Sequence, residues 1–480
     1  MRLSELFTGI SPKEDREIKG LCLDSRKAKE GDLFFCLVGL EADGHRFADS
    51  AVKNGACGVV YSKDIDKQEG VCYIRVEDVN RELNRVCDLF FDHPSRKMTV
   101  FGVTGTNGKT TTTSIIRDVY SHKAPCGYMG TIAVRYGDVS RIPSLTTPDA
   151  IEIHSNLREM ADYGMEAVAM EVSSHGLSMG RTDTVDFDVA IFTNLTYDHL
   201  DYHKTMEAYF DAKKLLFETL KPEAVAVLNA DDISYEPLRQ CCPCRVVSYG
   251  IEADADYKAE DVILAPDGTA FTLVAEGERY LVKTNMIALY NIYNLLGAVA
   301  AMAQTGMSVS EIIPYLADIS QIDGRMEIIA EGQPFHLIVD YAHTPDGFEK
   351  VFHYAKEIAA GHRIYSVFGC AGKRDKVKRK VLGGIAGKYC EKVFVTEEDP
   401  RDENPKDIAE EIMQGMEDGN GVFIADRYDA IAAAVETAEP GDCVLILGKG
   451  DEPYMYYDHG REPWMGDHEA ARKAVRLLLR

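Results

Sequence analysis

The stretch of sequence that decides the fold of this chain is Met98-Thr-Val-Phe-Gly-Val-Thr-Gly-Thr-Asn-Gly-Lys-Thr-Thr-Thr-Thr113. Its apolar first half predicts a β-strand, and Lys109 and Thr110 follow a glycine-rich turn, where we predict that a helix begins. Gly105 and Gly108 allow backbone N–H groups to approach phosphate oxygens, and the start of a helix adds positive potential. This arrangement is typical of a loop that binds a nucleoside triphosphate.

The loop departs from the strict phosphate-binding pattern at Val103, where that pattern has glycine. Lys109 is expected to reach the outer phosphates, and the Thr110 hydroxyl suits Mg²⁺. A plain glycine turn before a helix is the alternative, but the strand, the Lys-Thr pair and the helix together favour ATP. The predicted nucleotide contacts of the loop are Gly105, Thr106, Asn107, Gly108, Lys109, Thr110 and Thr111.

The size and charge of the chain exclude several classes of protein. Its 480 residues are too many for one core and predict about three domains. The 53 basic and 78 acidic residues give a net charge of −25, which argues against a nucleic-acid partner. No apolar run approaches the ~20 residues of a membrane span, and the N-terminus lacks the apolar core of a signal peptide. The 12 cysteines resemble reduced, mostly buried thiols. We therefore expect a soluble, cytoplasmic protein without membrane insertion. We also expect it to be a monomer.

Short apolar runs alternate with helical stretches, which predicts α/β units built on largely parallel sheets. Breaks near residues 92–95 and 321–325 divide the chain into a small N-terminal α/β domain (1–96), a central P-loop domain (97–323) and a C-terminal Rossmann-like, doubly wound domain (324–480). The predicted strands lie within residues 31–38, 98–104, 167–172, 189–194, 224–229, 336–340, 364–369, 392–396, 421–425 and 443–447.

Two residues that follow predicted strands could complete a magnesium site. Glu171 ends the run at residues 167–170, and His199 follows the next strand. Carboxylates are ordinary Mg²⁺ ligands, whereas imidazole is a less usual one. A structural role for Glu171 is the alternative. His199 and His203 stand four residues apart, as in some zinc sites, but no partner cluster supports zinc.

Six motifs in this order resemble those of the ATP-dependent Mur ligases, which build peptidoglycan precursors for the cell wall. They are Gly105-Thr-Asn-Gly-Lys-Thr110, Glu171-Val-Ser-Ser-His175, Asn194-Leu-Thr-Tyr-Asp-His199, Asn291-Ile-Tyr-Asn294, Gly324-Arg-Met-Glu327 and Asp340-Tyr-Ala-His-Thr-Pro345. The MurE type is indicated by Leu23-Asp-Ser-Arg26, Gly31-Asp-Leu-Phe34, Thr146-Thr-Pro-Asp149, Asp211-Ala-Lys213, Glu398-Asp-Pro-Arg401 and Gly448-Lys-Gly-Asp-Glu452. The alternatives are a MurC, MurD or MurF relative, folylpolyglutamate synthetase, or a non-catalytic nucleotide-binding regulator.

The resemblance implies an enzyme that uses ATP and Mg²⁺ to activate the γ-carboxylate of the D-glutamyl residue in UDP-MurNAc-L-Ala-D-Glu as an acyl phosphate. The amine of a diamino acid then attacks. The implied catalytic residues are Lys109, Lys213, Glu171, His199 and His343. The implied metal ligands are Thr110, Glu171, His199 and Lys213 as a carbamate, with Lys214 as the alternative lysine and a structural role as the alternative for His343. Asn291, Asn294, Arg325 and Asp340 match further positions near the nucleotide.

The resemblance also implies where the two other substrates bind. The positions that match contacts of the UDP-MurNAc-dipeptide are Leu23, Ser25, Leu40, Glu41, Ala42, Thr146, Thr147, Ser173, Met179, Arg181 and Lys213. Met179 departs from the family, which usually has Gln there. The positions that match contacts of the amino acid are Arg374, Glu398, Asp399, Pro400, Arg401, Gly448 and Glu452.

The amino-acid motif favours meso-diaminopimelate over L-lysine. Relatives that use meso-diaminopimelate have Asp-Asn-Pro-Arg, in which the arginine grips the far carboxylate, and here Arg401 is kept. Asp399 replaces the asparagine, and its negative charge could instead help a lysine ammonium. Arg374 belongs to a basic cluster that is either a solvated helix start or a site for an anionic substrate. Glu452 is expected to pair with the far ammonium.

Overall fold

The computed structural model describes residues 1–39, 42–265, 268–417 and 419–480. They form three main sheets, each in its own consecutive part of the chain, and one small hairpin. The predicted three-domain α/β class is therefore confirmed. Among the described residues, no helix combines the length and the apolar character needed to cross a membrane.

The N-terminal sheet is parallel throughout, with the strand order β1-β2-β3-β4. Its strands are β1 (Gly20–Cys22), β2 (Asp32–Phe35), β3 (Gly58–Tyr61) and β4 (Cys72–Arg75), and its helices are α1 (Leu3–Leu6), α2 (Ala48–Lys53) and α3 (Val79–Phe90). The strand predicted at residues 31–38 ends at Phe35, because the chain turns back there and the Gly44 N–H donates to the Leu37 carbonyl. Leu33 and Phe35 pack against Leu83 of α3.

The central sheet has 11 strands in the order β15-β14-β13-β12-β11-β10-β5-β9-β6-β7-β8. Its strands are β5 (Thr99–Thr104), β6 (Cys126–Met129), β7 (Val134–Tyr136), β8 (Val139–Arg141), β9 (Ala167–Glu171), β10 (Val189–Phe192), β11 (Val225–Asn229), β12 (Arg245–Gly250), β13 (Tyr257–Ala265), β14 (Gly268–Ala275) and β15 (Glu278–Thr284). Its helices are α4 (Lys109–Tyr120), α5 (Ala150–Tyr163), α6 (Ser174–Ser178), α7 (Leu200–His203), α8 (Met206–Glu218), α9 (Tyr235–Cys241), α10 (Leu289–Ala303) and α11 (Val309–Ile312).

Strand β5 lies between β10 and β9 and runs parallel to both. All three strands are almost fully buried, so their residues are apolar almost without interruption, as expected for a sheet covered on both faces. Their carboxyl ends meet at one edge, which brings the phosphate loop, Glu171 and the segment before His199 together. The antiparallel extension β13–β15 was not predicted from the sequence.

The C-terminal sheet has the order β16-β17-β21-β18-β19-β20, in which only β16 is antiparallel to its neighbour. Its strands are β16 (Glu327–Ile328), β17 (His336–Asp340), β18 (Ile364–Phe368), β19 (Lys392–Val395), β20 (Gly421–Phe423) and β21 (Cys443–Leu447), followed by the hairpin β22 (Tyr454–Tyr457) and β23 (Gly460–Pro463). Its helices are α12 (Pro345–Ala359), α13 (Val377–Tyr389), α14 (Pro405–Met413), α15 (Arg427–Thr437) and α16 (Asp467–Leu478). Every strand predicted in this part of the chain is present.

Candidate active site

A cavity of about 820 Å³ lies where the carboxyl ends of the central strands face the C-terminal domain. Its volume is within the usual range for a cofactor-sized site. Many of the predicted residues line it: Thr106, Asn107, Gly108, Lys109, Thr110, Thr111, Thr146, Glu171, Ser173, His199, Lys213, Asn291, Asn294, Arg325, Asp340 and His343. The cavity therefore combines residues of two domains, and two of them, Thr110 and Arg325, are 215 positions apart in the chain.

The phosphate loop has the backbone that its glycines predict. Gly105 and Gly108 have φ angles of 148° and 87°, and α4 begins at Lys109. A Cβ atom at Gly108 would collide with the side-chain oxygen of Asn294, so this position tolerates only glycine. Asn107 is held by its own N–H, which donates to Asn194 Oδ1 at 3.0 Å. The loop therefore lines the cavity, and the segment that carries Asn194 holds it in place.

Two lysines, Lys109 (partly buried) and Lys213 (buried), share one carbonyl of this loop. Lys109 Nζ donates to Gly105 O at 3.0 Å and to Thr106 O at 2.8 Å, and Lys213 Nζ donates to Gly105 O at 2.7 Å. Burial lowers the pKa of Lys109 and lowers that of Lys213 well below its usual value; the charge of Lys109 lowers the pKa of Lys213 further. Lys213 also lies 4.4 Å from the ring centroid of Tyr209. The lowered pKa favours the neutral amine of Lys213 over the ammonium.

Glu171 is buried and accepts four hydrogen bonds. Its Oε1 accepts from Tyr128 O–H at 2.7 Å and from the Thr131 N–H at 2.8 Å. Its Oε2 accepts from Thr110 Oγ1 at 3.1 Å and from Thr131 Oγ1 at 3.0 Å. The carboxylate is therefore held beside the first turn of α4, in reach of whatever binds at the phosphate loop.

His199 also lines the cavity, with a left-handed backbone (φ 53°) at the start of α7. The imidazole is partly buried, which lowers its pKa to about 3 and favours the neutral form that can act as a ligand. Asp198 Oδ2 lies 3.3 Å from His199 Nε2 and 3.8 Å from His343 Nε2. Burial alone would raise the pKa of Asp198, but the neighbouring His343 and Lys378 lower it by more. His203 instead contacts Ser174 Oγ at 3.0 Å.

The C-terminal domain contributes Arg325 and Asp340 to the cavity wall. Arg325 Nη2 lies 3.4 Å from Thr110 Oγ1, and the guanidinium stacks 4.0 Å from the ring centroid of Tyr341. Its Nη1 is buried and has no hydrogen-bond partner among the described residues. An unpaired buried N–H of this kind favours an anion such as phosphate. Asp340 accepts from the Met326 and Ala342 N–H groups at 2.7 and 2.8 Å, which orders the loop that carries Arg325.

Asn291 and Asn294 stand one turn apart on α10, on the face that meets the phosphate loop. Asn294 Nδ2 donates to Asn291 Oδ1 at 3.0 Å, and Asn291 Nδ2 donates to the Ile287 carbonyl at 2.8 Å. Both side chains are buried. These two hydrogen bonds fix the side chains of the first turns of α10 at the cavity wall.

The residues predicted to hold the muramoyl dipeptide surround the end of β9. Thr147 Oγ1 donates to the Glu171 carbonyl at 3.0 Å and accepts from the Ser173 N–H at 2.9 Å. Thr146 Oγ1 lies 3.0 Å from Thr131 Oγ1, which itself donates to Glu171. Arg181 Nη1 donates to the Thr147 carbonyl at 2.7 Å. The residues predicted to bind the dipeptide are therefore linked by hydrogen bonds to Glu171, a predicted metal ligand.

Met179, which stands where the family usually has Gln, contacts Arg181 through its sulfur at 3.1 Å from Nη2. The loop that carries it is tied to the N-terminal domain, since Asn80 Nδ2 donates to the Met179 carbonyl at 3.0 Å and Asn84 Nδ2 donates to the Gly180 carbonyl at 2.7 Å. A thioether accepts hydrogen bonds only weakly, so Met179 holds Arg181 only weakly.

The predicted UDP-sugar residues lie in the N-terminal domain, away from the cavity lining. Ser25 is buried and its carbonyl accepts from Asn54 Nδ2 at 2.8 Å, whereas Leu23 is partly buried and Ala42 is exposed. Leu40 and Glu41 lie outside the described residues.

The predicted amino-acid residues cluster where β19, β21 and the β22–β23 hairpin meet. Arg401 Nη1 donates to the Gly372 carbonyl at 2.7 Å, and Arg401 N donates to the Tyr456 carbonyl at 2.9 Å. Burial raises the pKa of Glu398, whose carboxylate would collide with a Cβ atom at Gly448. Pro400 carries the chain from Asp399 to Arg401, both of which have positive φ.

Arg374 lies apart from this cluster. Its guanidinium is about half exposed, and Nη1 is 3.8 Å from Asp201 Oδ2 of the central domain. Nearby, Tyr197 O–H donates to Asp375 Oδ2 at 2.9 Å. The basic segment therefore bridges two domains instead of lying free in solvent.

Several residues of the site were missed by the sequence analysis. Tyr128 and Thr131 support Glu171 but belong to no motif, so only the folded structure reveals them. Three others lie within motifs that the sequence analysis identified, and this location could have marked them as site residues: Asp198, Tyr341 and Lys449. Among the described residues, no group of three or more His, Cys, Asp and Glu side chains could hold a metal by itself. A Mg²⁺ ion here would therefore take ligands from phosphates and water as well.

Comparison with known families agrees with this geometry. Residues 17–99 match the description "Mur ligase family, catalytic domain", residues 103–302 match "Mur ligase middle domain", and residues 324–450 match "Mur ligase, glutamate ligase domain". The chain is 40% identical over 474 residues to UDP-N-acetylmuramoyl-L-alanyl-D-glutamate–2,6-diaminopimelate ligase of Bacillus cereus, covering 97% of this chain and 96% of that one. It is also 40% identical to the protein of the same name from Geobacillus thermodenitrificans, covering 92% and 91%.

Solved structures show the same relationship. A structure of UDP-N-acetylmuramoyl-L-alanyl-D-glutamate–2,6-diaminopimelate ligase superimposes with a TM-score of 0.70 at 29% identity and covers 100% of this chain and 99% of that chain. MurF ligase from Thermotoga maritima in complex with ADP has the same fold, with a TM-score of 0.66 at 21% identity and coverage of 98% and 99%. The chain belongs to the Mur ligase family. It is a ligase of the three-domain type, and its predicted resemblance to that family is confirmed.

Proposed function

We propose that the protein joins meso-diaminopimelate to the D-glutamyl γ-carboxylate of UDP-MurNAc-L-Ala-D-Glu in an ATP-dependent reaction of peptidoglycan precursor synthesis. The observation that carries the proposal is the cavity in which Lys109, Thr110 and Lys213 of the central domain face Arg325 of the C-terminal domain. A split site of this kind closes around an activated intermediate and keeps water from it. The printed names of the full-length relatives support the same substrate and amino acid.

The chemistry follows from the properties of a carboxylate. The γ-carboxylate oxygen attacks the γ-phosphorus of ATP and ADP leaves, which gives an acyl phosphate. The amine of the diamino acid then adds to the acyl carbon, and inorganic phosphate leaves as the amide bond forms. Lys109 and Arg325 neutralise charge on the transferred group, while the loop around Gly108 holds the phosphates through backbone N–H groups.

The residues present fit Mg²⁺. Glu171 and Thr110 share a hydrogen bond of 3.1 Å inside the cavity, and a carboxylate with a hydroxyl is a donor set that Mg²⁺ prefers. Thr110 and Glu171 would hold one ion, and Glu171, His199 and carbamylated Lys213 would support a second. When bound there, Mg²⁺ would offset the charge of the phosphates.

Lys213 is the residue that we propose carries a carbamate. Burial and the nearby charge of Lys109 lower the pKa of its amine and so favour the neutral form, which is the form that adds to CO₂. The amine nitrogen bonds to CO₂ and releases a proton, and the resulting anion attracts Lys109, whereas an ammonium at Lys213 would repel it. His343 is proposed to help order the acceptor side through Asp198.

We also propose that the domains extend over residues 1–96, 97–323 and 324–480. We further propose that the enzyme is a monomer and acts in the cytoplasm, where ATP and UDP-linked precursors are made. The three sheets and the two predicted breaks between them support these boundaries.

A coupled phosphate-release assay tests the proposal directly. We expect turnover only when ATP, Mg²⁺, UDP-MurNAc-L-Ala-D-Glu and meso-diaminopimelate are all present, with L-lysine as the comparison amino acid. Phosphate release without an acceptor, or preference for L-lysine, would contradict the proposed reaction or the proposed amino acid, respectively.

Arg401 provides a separate test of amino-acid recognition. Because a planar guanidinium grips a carboxylate with two hydrogen bonds, Arg401→Lys should raise the KM for meso-diaminopimelate about 10- to 100-fold and the KM for ATP by less than about twofold. Arg401→Ala should have a larger effect in the same direction. Equal increases in both KM values would refute a role in amino-acid binding. Arg476→Lys, on the exposed face of α16, is the matched control.

A further inference from the structure

The buried ammonium of Lys449 joins two residues of the amino-acid motif. Its side chain is only 1% exposed, and Nζ donates to Asp399 Oδ1 at 2.8 Å and to Glu452 Oε2 at 2.7 Å. Burial alone would lower the pKa of Lys449, but the two carboxylates outweigh it and raise the pKa, so the lysine is charged. The extra negative charge of Asp399, which replaces a neutral asparagine of relatives, is therefore already neutralised inside the protein.

Glu452 is held from its other side as well. Tyr341 O–H donates to Glu452 Oε1 at 2.9 Å, so both oxygens of this carboxylate have a partner. The ring of Tyr341 lines the nucleotide cavity and supports the Arg325 guanidinium at 4.0 Å. Arg325 in turn reaches Thr110 Oγ1 at 3.4 Å. A continuous series of contacts thus leads from the phosphate loop to the amino-acid motif.

The series continues to the residue proposed to grip the far carboxylate. Asp399 Oδ1 accepts from the Tyr456 N–H at 3.2 Å, and the Tyr456 carbonyl accepts from the Arg401 N–H at 2.9 Å. Lys449 therefore determines the position of Glu452 directly and that of Arg401 through Asp399 and one strand residue. Displacement of such a support by about 1 Å is enough to disturb recognition.

We propose that Lys449 is a positioning residue that sets the amino-acid selectivity of the ligase and, through Tyr341, links the amino-acid site to the phosphate end of the cavity. The inference rests on the proposed function. The charges of Asp399 and Lys449 cancel, and Glu452 is held in a fixed position. This arrangement suits meso-diaminopimelate, whose two carboxylates and two ammonium groups also cancel. Two unpaired carboxylates at the same place would instead attract L-lysine, which has one more positive charge than negative charge.

The first test is Lys449→Met, which keeps the approximate length of the side chain and removes its charge. We expect the KM for meso-diaminopimelate to rise about 10- to 100-fold while the KM for ATP stays within about twofold. The ratio of kcat/KM for meso-diaminopimelate to that for L-lysine should fall at least about tenfold. The double variant Lys449→Met/Asp399→Asn should recover most of this ratio, because it removes the carboxylate that has lost its partner.

Two controls separate this role from a loss of structure. Lys406→Met removes an exposed lysine of the same domain, whose Nζ is 4.0 Å from Glu410, and should change neither KM. Tyr341→Phe keeps the ring under Arg325 and removes only the bond to Glu452, so it should raise the KM for meso-diaminopimelate about tenfold. It also provides the test if Lys449→Met does not fold.

The outcomes separate the inference from the proposed function. Wild-type protein without acceptor-dependent phosphate release would overturn the proposed function. If the wild type turns over normally, two results would overturn only the inference. One is an equal change in the KM for ATP and for both amino acids in Lys449→Met, and the other is no recovery of the ratio in the double variant. Unchanged kinetics in Tyr341→Phe would overturn the link to the phosphate end.

Discussion

Replacement of Lys213 by alanine is expected to reduce the rate of ligation about 10³-fold. Lys213 is 1% exposed, donates to the Gly105 carbonyl at 2.7 Å and shares that carbonyl with Lys109. Alanine would remove the proposed carbamate and with it an anion that would support Mg²⁺. The rate of phosphate release at saturating substrates measures this loss.

Small carboxylates such as formate or acetate should restore part of the activity of Lys213→Ala, because they place an anion in the space that the side chain leaves. Protein equilibrated with ¹³C-bicarbonate should show a carbamate signal in the ¹³C NMR spectrum, and Lys213→Ala should lack it. Full activity of the variant, or an unchanged carbamate signal, would remove Lys213 from this role.

Lys214→Ala is the matched control, since this next residue of α8 is partly exposed and pairs with Glu218 at 2.7 Å. If Lys214 carried the carbamate instead, Lys214→Ala would lose the activity and the carbamate signal, and Lys213→Ala would keep both. The pKa of Lys214 is raised by its hydrogen bond to Glu218, which keeps the amine protonated and unreactive toward CO₂. We therefore expect Lys214→Ala to retain wild-type activity and the carbamate signal.

Glu171→Gln is expected to lower kcat about 10²- to 10³-fold and to raise the concentration of Mg²⁺ needed for half-maximal rate. The substitution removes the charge that balances Mg²⁺ but keeps the shape of the side chain. The Gln carbonyl can still accept from the Thr131 N–H and Tyr128 O–H, and the Thr110 hydroxyl can turn to accept from the new amide. The fold should therefore survive.

Kinetics over a range of Mg²⁺ concentrations, together with thermal unfolding, test this expectation. Glu159→Gln is a suitable control, because this carboxylate also accepts from a tyrosine hydroxyl, that of Tyr136 at 2.6 Å, but stands on α5 outside the cavity lining. A normal Mg²⁺ requirement in Glu171→Gln would leave Glu171 as a structural carboxylate, the alternative role that its buried position also allows.

The local parts of the site could be predicted because each rests on a short stretch of sequence. The start of α4 at Lys109 and the placement of Glu171 at the end of β9 follow from an apolar run that meets glycine or a polar residue. Strand ends were less accurate: the run predicted at residues 189–194 ends as β10 at Phe192, because the next residues bind the phosphate loop with their side chains.

Contacts between distant segments could not be predicted in this way. Nothing in the sequence around Tyr128 or Thr131 indicates that both hold Glu171. The charge of Asp399 suggested a site that could favour lysine, and only the position of Lys449, 50 residues away in the chain, shows that this charge is paired. Such pairings depend on which strands become neighbours.

The sequence by itself determined that this is a large, acidic, three-domain α/β protein with a phosphate loop and the ordered motifs of a Mur ligase. Spacing and residue type suffice for these properties, because backbone conformation and hydrophobic periodicity are local. Only the tertiary structure decided that Arg325 faces Thr110, that Lys109 and Lys213 share one carbonyl, and that Lys449 neutralises Asp399. The physical reason is that burial and charge pairing, which control pKa and recognition, arise only when distant segments pack together.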